Sequence, residues 1–342
     1  MNASQSPHDP SLVLELLESF RRSKTMFAGV ELGVFDALET QPDTIEGLST
    51  RLKTHPGATR ILLESLRALG LLECHAGQFS NTPSTSAYLC SNSPRRMTGY
   101  IKYSNQVIWQ LWAHLEDAIR EGTHRWKQTY GFDGPIFSSF FRTPESMHEF
   151  LMGMHGFGMI TSPEIVQCFD LSRFTHLCDL GGATGHLPIA ACERYPTLRA
   201  TLFDLPHALE LAKEIISGSK VADRIAIVGG DFFVDPLPAA DLYALGRILH
   251  DWDEPKIRLL LKRIYDALPP GGGLLIGEKL ISEDRDGPRW AMMQSLNMLV
   301  CTEGRERSAS EYRSLLQEAG FGTVTHATTD VPLDAVLAIK PS

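Results

Sequence analysis

The chain has 342 residues, of which 21% are charged and 43% fall in the hydrophobic set, an ordinary composition for a globular protein. At roughly 150 residues per domain this length predicts about two domains. Its 41 acidic residues outnumber 32 basic ones, for a formal charge of −9. That balance argues against a surface built chiefly for nucleic acid or anionic membrane, where attraction to phosphate needs clustered positive charge. No apolar run approaches the roughly 18 residues needed to span a bilayer. The opening MNASQSPHDP shows no basic start followed by an apolar core, so no secretory signal is read and the expected location is cytoplasmic.

In chain order, Leu12, Leu16 and Phe20, with Leu17 beside them, recur at helical spacing, and a second apolar stretch runs from Met26 to Leu38. This amphipathic start could pack in a local core or against a partner chain. Thr44 opens a short helix ending near Lys53, and Pro56 suits the first turn of another. Leu62, Leu66 and Leu69 line one face of that second helix, and Gly70 is placed to end it. Leu71–Cys74, the turn Ala76-Gly77 and Gln78-Phe79 then read as a small hairpin. Helix, helix and hairpin make a winged-helix pattern, which serves either DNA binding or dimerisation. Between residues 44 and 80 four basic residues face three acidic ones, too weak an excess for a groove-binding helix, so the structural reading is preferred.

Residues 81–175 read as a further helical region, rich in aromatic residues and Met. Gly153, Gly156 and Gly158 interrupt its Met/Phe stretch, closer together than a helix with no other purpose carries them. From residue 176 strands and helices alternate. The expected strands are 176–180, 198–203, 225–228, 241–245 and 274–281; the expected helices lie near 186–195, 206–217 and 254–268. A helix near 309–319 is opened by a Ser308/Glu311 capping box and closed by Gly320, and 322–328 with 335–339 form a final strand pair. The fold class is α/β, a doubly wound, Rossmann-like sheet edged by a hairpin. Domain limits are expected at 1–100 for the helical winged-helix part and 101–342 for the rest, with a helical lead-in over 101–175 and the α/β core over 176–342. The six cysteines, Cys74, Cys90, Cys168, Cys178, Cys192 and Cys301, form no CxxC pair and read as buried reduced thiols. The twelve histidines include no HExxH, so no metal site is expected.

The most informative segment is Asp179-Leu-Gly-Gly-Ala-Thr-Gly185, a Gly-rich turn between a strand and a helix. Its glycines let the backbone approach a ligand at the carboxyl end of a parallel strand, where open α/β sheets bind nucleotides. The spacing is not GxGxxG, and the acidic Asp179 disfavours a pyrophosphate while suiting a ligand with an amine end. The second strand ends at Asp204, 25 residues after Asp179, placed to accept hydrogen bonds from two ribose hydroxyls. After the third strand come Gly230, Asp231 and Phe232: a carboxylate for an adenine amino group and a ring to cover the base. Together with Gly181 these residues describe an adenosyl ligand without pyrophosphate, which points to S-adenosylmethionine. Taken singly, Asp204 and Asp231 could be loop or helix caps, and Phe232 could be core.

DLGGATG at 179–185, FDLP at 203–206, GDFF at 230–233, GRILHDWDE at 246–254, PGGGLLIGE at 270–278 and TEGRERS at 302–308 resemble the plant-type (caffeate-like) O-methyltransferase family. Within it the chain is most similar to the acetylserotonin (hydroxyindole) O-methyltransferases, over nearly its whole length. The resemblance implies an enzyme: a metal-independent methyltransferase that moves a methyl group from S-adenosylmethionine to a hydroxyl of a small aromatic acceptor, a hydroxyindole, phenol or polyketide-like ring. It also implies that the N-terminal part is a dimerisation domain, and hence a homodimer. The base is then His250, with Glu278 and Glu306 orienting it; Glu306 could instead be a solvated carboxylate between Arg305 and Arg307. Arg247 is implied to meet the carboxylate of the cofactor's methionine part. Asp251 and Asn297 are implied on the acceptor side, with Cys301 where the hydroxyindole enzymes carry Gln, although Asp251 could equally cap the next helix. Gly158 stands where the family has a cofactor-facing Trp, and Phe141 where it has a Tyr. Rival readings are an N- or C-methyltransferase of a small molecule on the same fold, a non-catalytic winged-helix regulator, and a decarboxylase or hydroxylase that binds the same cofactor.

Overall fold

The computed structural model describes residues 9–132 and 143–342, so Phe137, Phe140 and Phe141 lie outside the described residues. The chain divides into two units, Met1–Gln106 and Val107–Ser342. In the first, the apolar start forms helix α1 (Ser11–Glu31), which ends at Leu32, and α2 (Val34–Thr40) follows. Gly33, at φ 72°, makes the break, so the Met26–Leu38 stretch is two helices rather than one. The Thr44 hydroxyl accepts from the Gly47 amide at 3.2 Å and caps α3 (Ile45–Leu52). Pro56 opens α4 (Pro56–Ala68), and the hairpin is β1 (Leu72–His75) with β2 (Gln78–Asn81). The buried face of α4 is Leu63 and Leu66, packed with Val34, Phe35 and Leu48; Leu62 lies at its margin, so the apolar face is rotated from the one the leucine spacing predicts. Along α1, Leu12, Leu16, Leu17 and Phe20 are 55–66% exposed, so they are not part of that local core.

The second unit holds a seven-stranded sheet. Its strands are β3 (His176–Leu180), β4 (Arg199–Asp204), β5 (Ile225–Gly229), β6 (Leu242–Gly246), β7 (Gly273–Glu278), β8 (Thr323–Ala327) and β9 (Asp334–Ile339), in the order β5-β4-β3-β6-β7-β9-β8. The first five are parallel, and β9 and β8 close the edge antiparallel. The fifth strand stops at Glu278, short of the expected 281, because the chain leaves the sheet at Lys279. β3 and β7 are buried along nearly their whole length because both sheet faces are covered. The order reverses between β3 and β6, which opens a crevice at their carboxyl ends.

Helix α5 (Pro144–Gln167) runs unbroken through Gly153, Gly156 and Gly158, all buried. It packs on α6 (His186–Arg194), and a Cβ on Gly158 would overlap the His186 ring. The later helices are α7 (Leu209–Ser217), α8 (Glu254–Ala267), α9 (Arg289–Cys301) and α10 (Ala309–Glu318); short helices also occur between β2 and α5. The Ser308/Glu311 capping box is formed in both directions, and Gly320 sits at φ 108°. Helix α9 has no side-chain cap and no strongly one-sided apolar pattern, so its sequence carries little helical signal. Cys90, Cys178, Cys192 and Cys301 are buried, whereas Cys74 and Cys168 are half-exposed, a correction to the reading of all six as core. No helix among the described residues is long and apolar enough to cross a membrane.

Where β7 ends, Lys279 Nζ meets buried Asp334 Oδ1 at 2.9 Å and also donates to the carbonyls of Thr329 and Val331. Lys279→Met would leave that carboxylate without its counter-charge, and removing one partner of a buried pair costs about 3–5 kcal/mol. The urea-unfolding midpoint should fall accordingly; an unchanged midpoint would show that the pair adds nothing.

Candidate active site

The Gly-rich turn follows β3. Gly181, at φ 71°, donates its amide to Phe203 O at 2.8 Å, and a Cβ there would lie 2.6 Å from Ile248. A Cβ on Gly182 would overlap the Asp179 carboxylate. Ala183 donates its amide to Asp204 Oδ2 at 2.7 Å, and Leu205 donates to Oδ1 at 2.7 Å. Asp204 is thus tied to the turn, yet each oxygen keeps a lone pair for a further donor. Gly230 donates to the Asp204 carbonyl, and its missing side chain makes room for the Phe203 ring. Asp231 Oδ1 accepts from the Phe233 amide, a local turn bond. The Phe232 ring edge lies 3.3 Å from the Cβ position of Gly181. Gly181, Asp204, Gly230 and Phe232 are therefore gathered at one crevice, with Asp231 next in the chain.

Asp179 is buried, and its Oδ2 has no hydrogen-bond partner. Burial, with the Asp204 charge adding to it, pushes its pKa up to about 8. Burial also raises Asp204, to about 6, against the two amide bonds that lower it. Arg247 adopts φ 59°, lies 5.0 Å from the Phe157 ring, and has a buried Nε without a partner. An unpaired carboxylate oxygen for an ammonium, an unpaired guanidinium nitrogen for a carboxylate, and an acid with lone pairs to spare for a diol fit an adenosyl group that ends in an amino acid.

His250 sits in a 3-10 turn (Leu249–Asp251) after β6 and is 3% exposed. Glu278 Oε1 accepts from the amides of Ile248 at 3.0 Å and Leu249 at 2.9 Å, with His250 N at 3.4 Å. Its other oxygen lies 3.2 Å from His250 Nδ1. Glu306 Oε1 is closer to the same nitrogen, at 2.6 Å. Glu306 is 1% exposed, so it is not a solvated loop carboxylate. Burial raises Glu306 to about 8, opposed by Arg247 and Arg307, and burial also raises Glu278. With Glu306 ionised, its bond to Nδ1 and the Glu278 charge beside it favour the tautomer with its proton there and leave Nε2 bare to accept another. Nε2 lies 3.7 Å from Asp251 Oδ1; burial pushes Asp251 up to about 7 against the pull of His250. Asp251 is not the cap of α8: Asp253 accepts from Lys256 N in that role. His250, Glu278 and Glu306 have donor atoms within 4.8 Å of one another, close enough to hold a cation. Sequence spacing hides this set, because tertiary folding brings together residues 28 apart at each step.

Helix α9 carries the acceptor-side candidates. Asn297 Oδ1 accepts from Trp112 Nε1 at 2.8 Å and from Cys301 Sγ at 3.6 Å. Burial, and the nearby Asp251 charge, push the Cys301 thiol well up. Cys301 therefore lies close to Asp251. Trp112 and the buried Arg307, which donates to the Leu249 carbonyl at 3.3 Å, were not anticipated. Neither carries a local sequence signal for these contacts, since its partner is 185 or 58 residues away. His186 was missed although it directly follows the Gly-rich turn.

A Gly-rich turn, a strand-end acid tied to it and a clamped imidazole at a sheet switch point define an α/β methyltransferase. An O-methyltransferase domain family matches residues 112–322, and an O-methyltransferase dimerisation domain family matches residues 14–91. The chain is 38% identical over 344 residues to the acetylserotonin O-methyltransferase of Bos taurus, covering 98% of this chain and 99% of that one. It is 39% identical over 337 residues to a Homo sapiens protein described as a probable bifunctional dTTP/UTP pyrophosphatase/methyltransferase, covering 98% of this chain but only 54% of that relative's length. Human N-acetylserotonin methyltransferase, solved in complex with S-adenosylmethionine, superposes with a TM-score of 0.94 at 36% identity, covering 99% of this chain and 100% of that one. PigF, solved with S-adenosylhomocysteine, gives 0.89 at 28% identity, with coverages of 98% and 100%. The chain belongs to the O-methyltransferase family: it is an S-adenosylmethionine-dependent O-methyltransferase related to the acetylserotonin O-methyltransferases.

Asp179 takes up a proton on folding, because its folded pKa of about 8 exceeds the ordinary 3.8. Between those values the unfolded chain is ionised and the folded one is not, so stability falls as pH rises. The unfolding free energy of ligand-free protein should therefore decline from pH 6 to 8, and Asp179→Asn should flatten the decline by about 1 kcal/mol per pH unit. Parallel slopes for the two proteins would refute the assignment.

Proposed function

We propose that His250 is the general base for methylation of a hydroxyl on a small aromatic acceptor. The observation that carries this reading is the clamp on Nδ1 by Glu306 at 2.6 Å and Glu278 at 3.2 Å, which leaves Nε2 as the proton-accepting atom. A phenol has a pKa near 10 and an imidazole near 6.5, so full proton transfer before attack would be uphill by roughly 5 kcal/mol. His250 avoids that cost by taking the proton as the acceptor oxygen attacks. When bound, S-adenosylmethionine supplies an electrophilic methyl whose bonding pair leaves with the sulfonium sulfur, giving the thioether S-adenosylhomocysteine. The imidazolium that forms is stabilised by the two carboxylates on its other nitrogen.

Cofactor binding falls to Gly181, Asp204, Gly230, Asp231, Phe232 and Arg247. Asp204 holds the ribose, Asp231 and Phe232 hold the adenine, and Arg247 holds the methionine carboxylate. Asp251, Asn297 and Cys301 face the acceptor. With Asn297 Oδ1 already taken by Trp112, the side chain offers N–H donors to that ligand. The acceptor is a hydroxyindole, phenol or polyketide-like ring, the first being the class named for the Bos taurus relative. Residues 101–342 carry out the transfer and residues 1–100 pair two chains into a homodimer, with the exposed Leu12, Leu16, Leu17 and Phe20 of α1 as its apolar contact.

His250→Ala should lower turnover by a factor on the order of 100 to 10,000 with S-adenosylhomocysteine affinity nearly unchanged, while Asp204→Ala weakens cofactor binding first. Release of S-adenosylhomocysteine with a panel of hydroxyaromatics and amines, and mass mapping of the product, read both the base and the atom methylated; a His250→Ala enzyme as active as the parent removes the base assignment. Chelator should leave the parent rate unchanged, since the clamp needs no cation. Sedimentation tests the dimer: Leu16→Glu with Phe20→Glu should convert a two-chain species to a single chain, and a parent already sedimenting as a single chain would overturn it.

A further inference from the structure

His186 has no part in the reaction described above, yet it directly follows the Gly-rich turn. Gly185, at φ 80°, ends the Gly-rich turn, and His186 is the first residue of α6. Its ring fills the space that a side chain on Gly158 of α5 would need: a Cβ there would overlap Cγ, Cδ2 and Nδ1. Ser162, one turn further along α5, fixes the ring with a bond of 2.8 Å between Oγ and Nδ1. On the other side of Gly158, His155 Nδ1 lies 2.9 Å from Oγ1 of Thr184, a buried residue of the Gly-rich turn. Helix α5 thus holds the turn and the start of α6 with two polar side chains and leaves a gap for the His186 ring.

With Nδ1 engaged, the second nitrogen of His186 is left with no described partner. Burial, reinforced by His155 and by the positive charge of Arg247, lowers the pKa of His186 to about 3, so the ring is neutral. Arg247 lies 5.0 Å from the ring of Phe157, the α5 residue next to Gly158, and its own buried Nε is unpaired. A neutral imidazole repels neither an ammonium nor a carboxylate, whereas a fixed charge in this place would repel one of them. An α-amino acid offers a carboxylate to the guanidinium and an ammonium to the bare imidazole nitrogen, and Arg247 is the residue placed at that end under Proposed function.

We propose that His186, seated in the gap left by Gly158, binds the amino-acid end of S-adenosylmethionine, with Ser162 as the positioning residue that sets its ring. This rests on the cofactor placement given under Proposed function. Calorimetric titration of full-length protein with S-adenosylhomocysteine and with 5′-methylthioadenosine, which keeps the nucleoside and thioether but lacks the amino acid, tests it. His186→Ala should weaken S-adenosylhomocysteine at least tenfold and leave 5′-methylthioadenosine within twofold, and Ser162→Ala should shift the same ligand in the same direction by less. Gly158→Trp should lose S-adenosylhomocysteine binding and lower the thermal midpoint, because indole and imidazole cannot share the space. Adding His186→Ala to it should restore the midpoint. Equal losses for both ligands in His186→Ala, or no loss for either, would overturn the role of His186 while leaving the cofactor site intact. A parent protein that binds the two ligands equally tightly would overturn Arg247 and His186 together, and one that binds neither would overturn the cofactor placement itself.

Discussion

Glu278 is fully buried at the end of a central strand, where an unsatisfied charge costs several kcal/mol. Its partial satisfaction organises the site. One oxygen takes the amides of Ile248 and Leu249, which fixes the 3-10 turn after β6. The other makes no hydrogen bond but lies 3.2 Å from the Nδ1 of His250, so the residue that shapes the turn also sets the charge beside the ring the turn carries. Glu306 adds the shorter bond from a separate loop, and that loop is held by Arg307 donating to the Leu249 carbonyl. Backbone and side-chain order at His250 therefore depend on the same two carboxylates. Loss of either would disturb position as well as proton affinity, so substitutions at His250, Glu278 and Glu306 are not independent of one another.

The cofactor side is built on absence of volume. Gly181, Gly182 and Gly230 each stand where a Cβ would strike Ile248, Asp179 or Phe203. The result is a close approach of three strand ends, with Asp204 bonded to the turn before any ligand arrives. Such preorganisation lowers the ordering cost of binding. Gly158 follows the same logic one layer out, where it admits the His186 ring between α5 and the turn. In sequence that glycine looks like a loss of an aromatic side chain; in three dimensions another aromatic ring occupies the space.

The relatives sharpen what is common and what is particular. Match over nearly the whole chain to acetylserotonin O-methyltransferases accounts for the two-part organisation and the cofactor. Cys301 spends its thiol on Asn297, and Trp112 spends its indole N–H on the same oxygen, so the free polar capacity of Asn297 is its amide hydrogens. Helix α9, which holds two of these groups, packs against the turn that carries His250.

Period and punctuation in the sequence were enough for the alternating strands and helices after residue 176, the capping box at Ser308, the hairpin after Gly70 and the Gly-rich turn, because each depends on neighbours within a few residues. The break at Gly33 and the helix over 289–301 were not legible: a left-handed glycine inside an apolar stretch and a helix without a cap or a one-sided face carry weak local signals. Motif resemblance named His250, Glu278 and Glu306 as a set, but whether Glu306 was solvated or buried depended on how its loop meets β6 and β7. The amides that satisfy Glu278, the Trp112–Asn297 bond, and the His186 ring beside Gly158 join residues between 28 and 185 positions apart. Local chemistry along the chain determined the elements and the kinds of group available; only packing of the sheet and its helices decided which of those groups meet, since burial and pairing are properties of distance in space and not of distance in sequence.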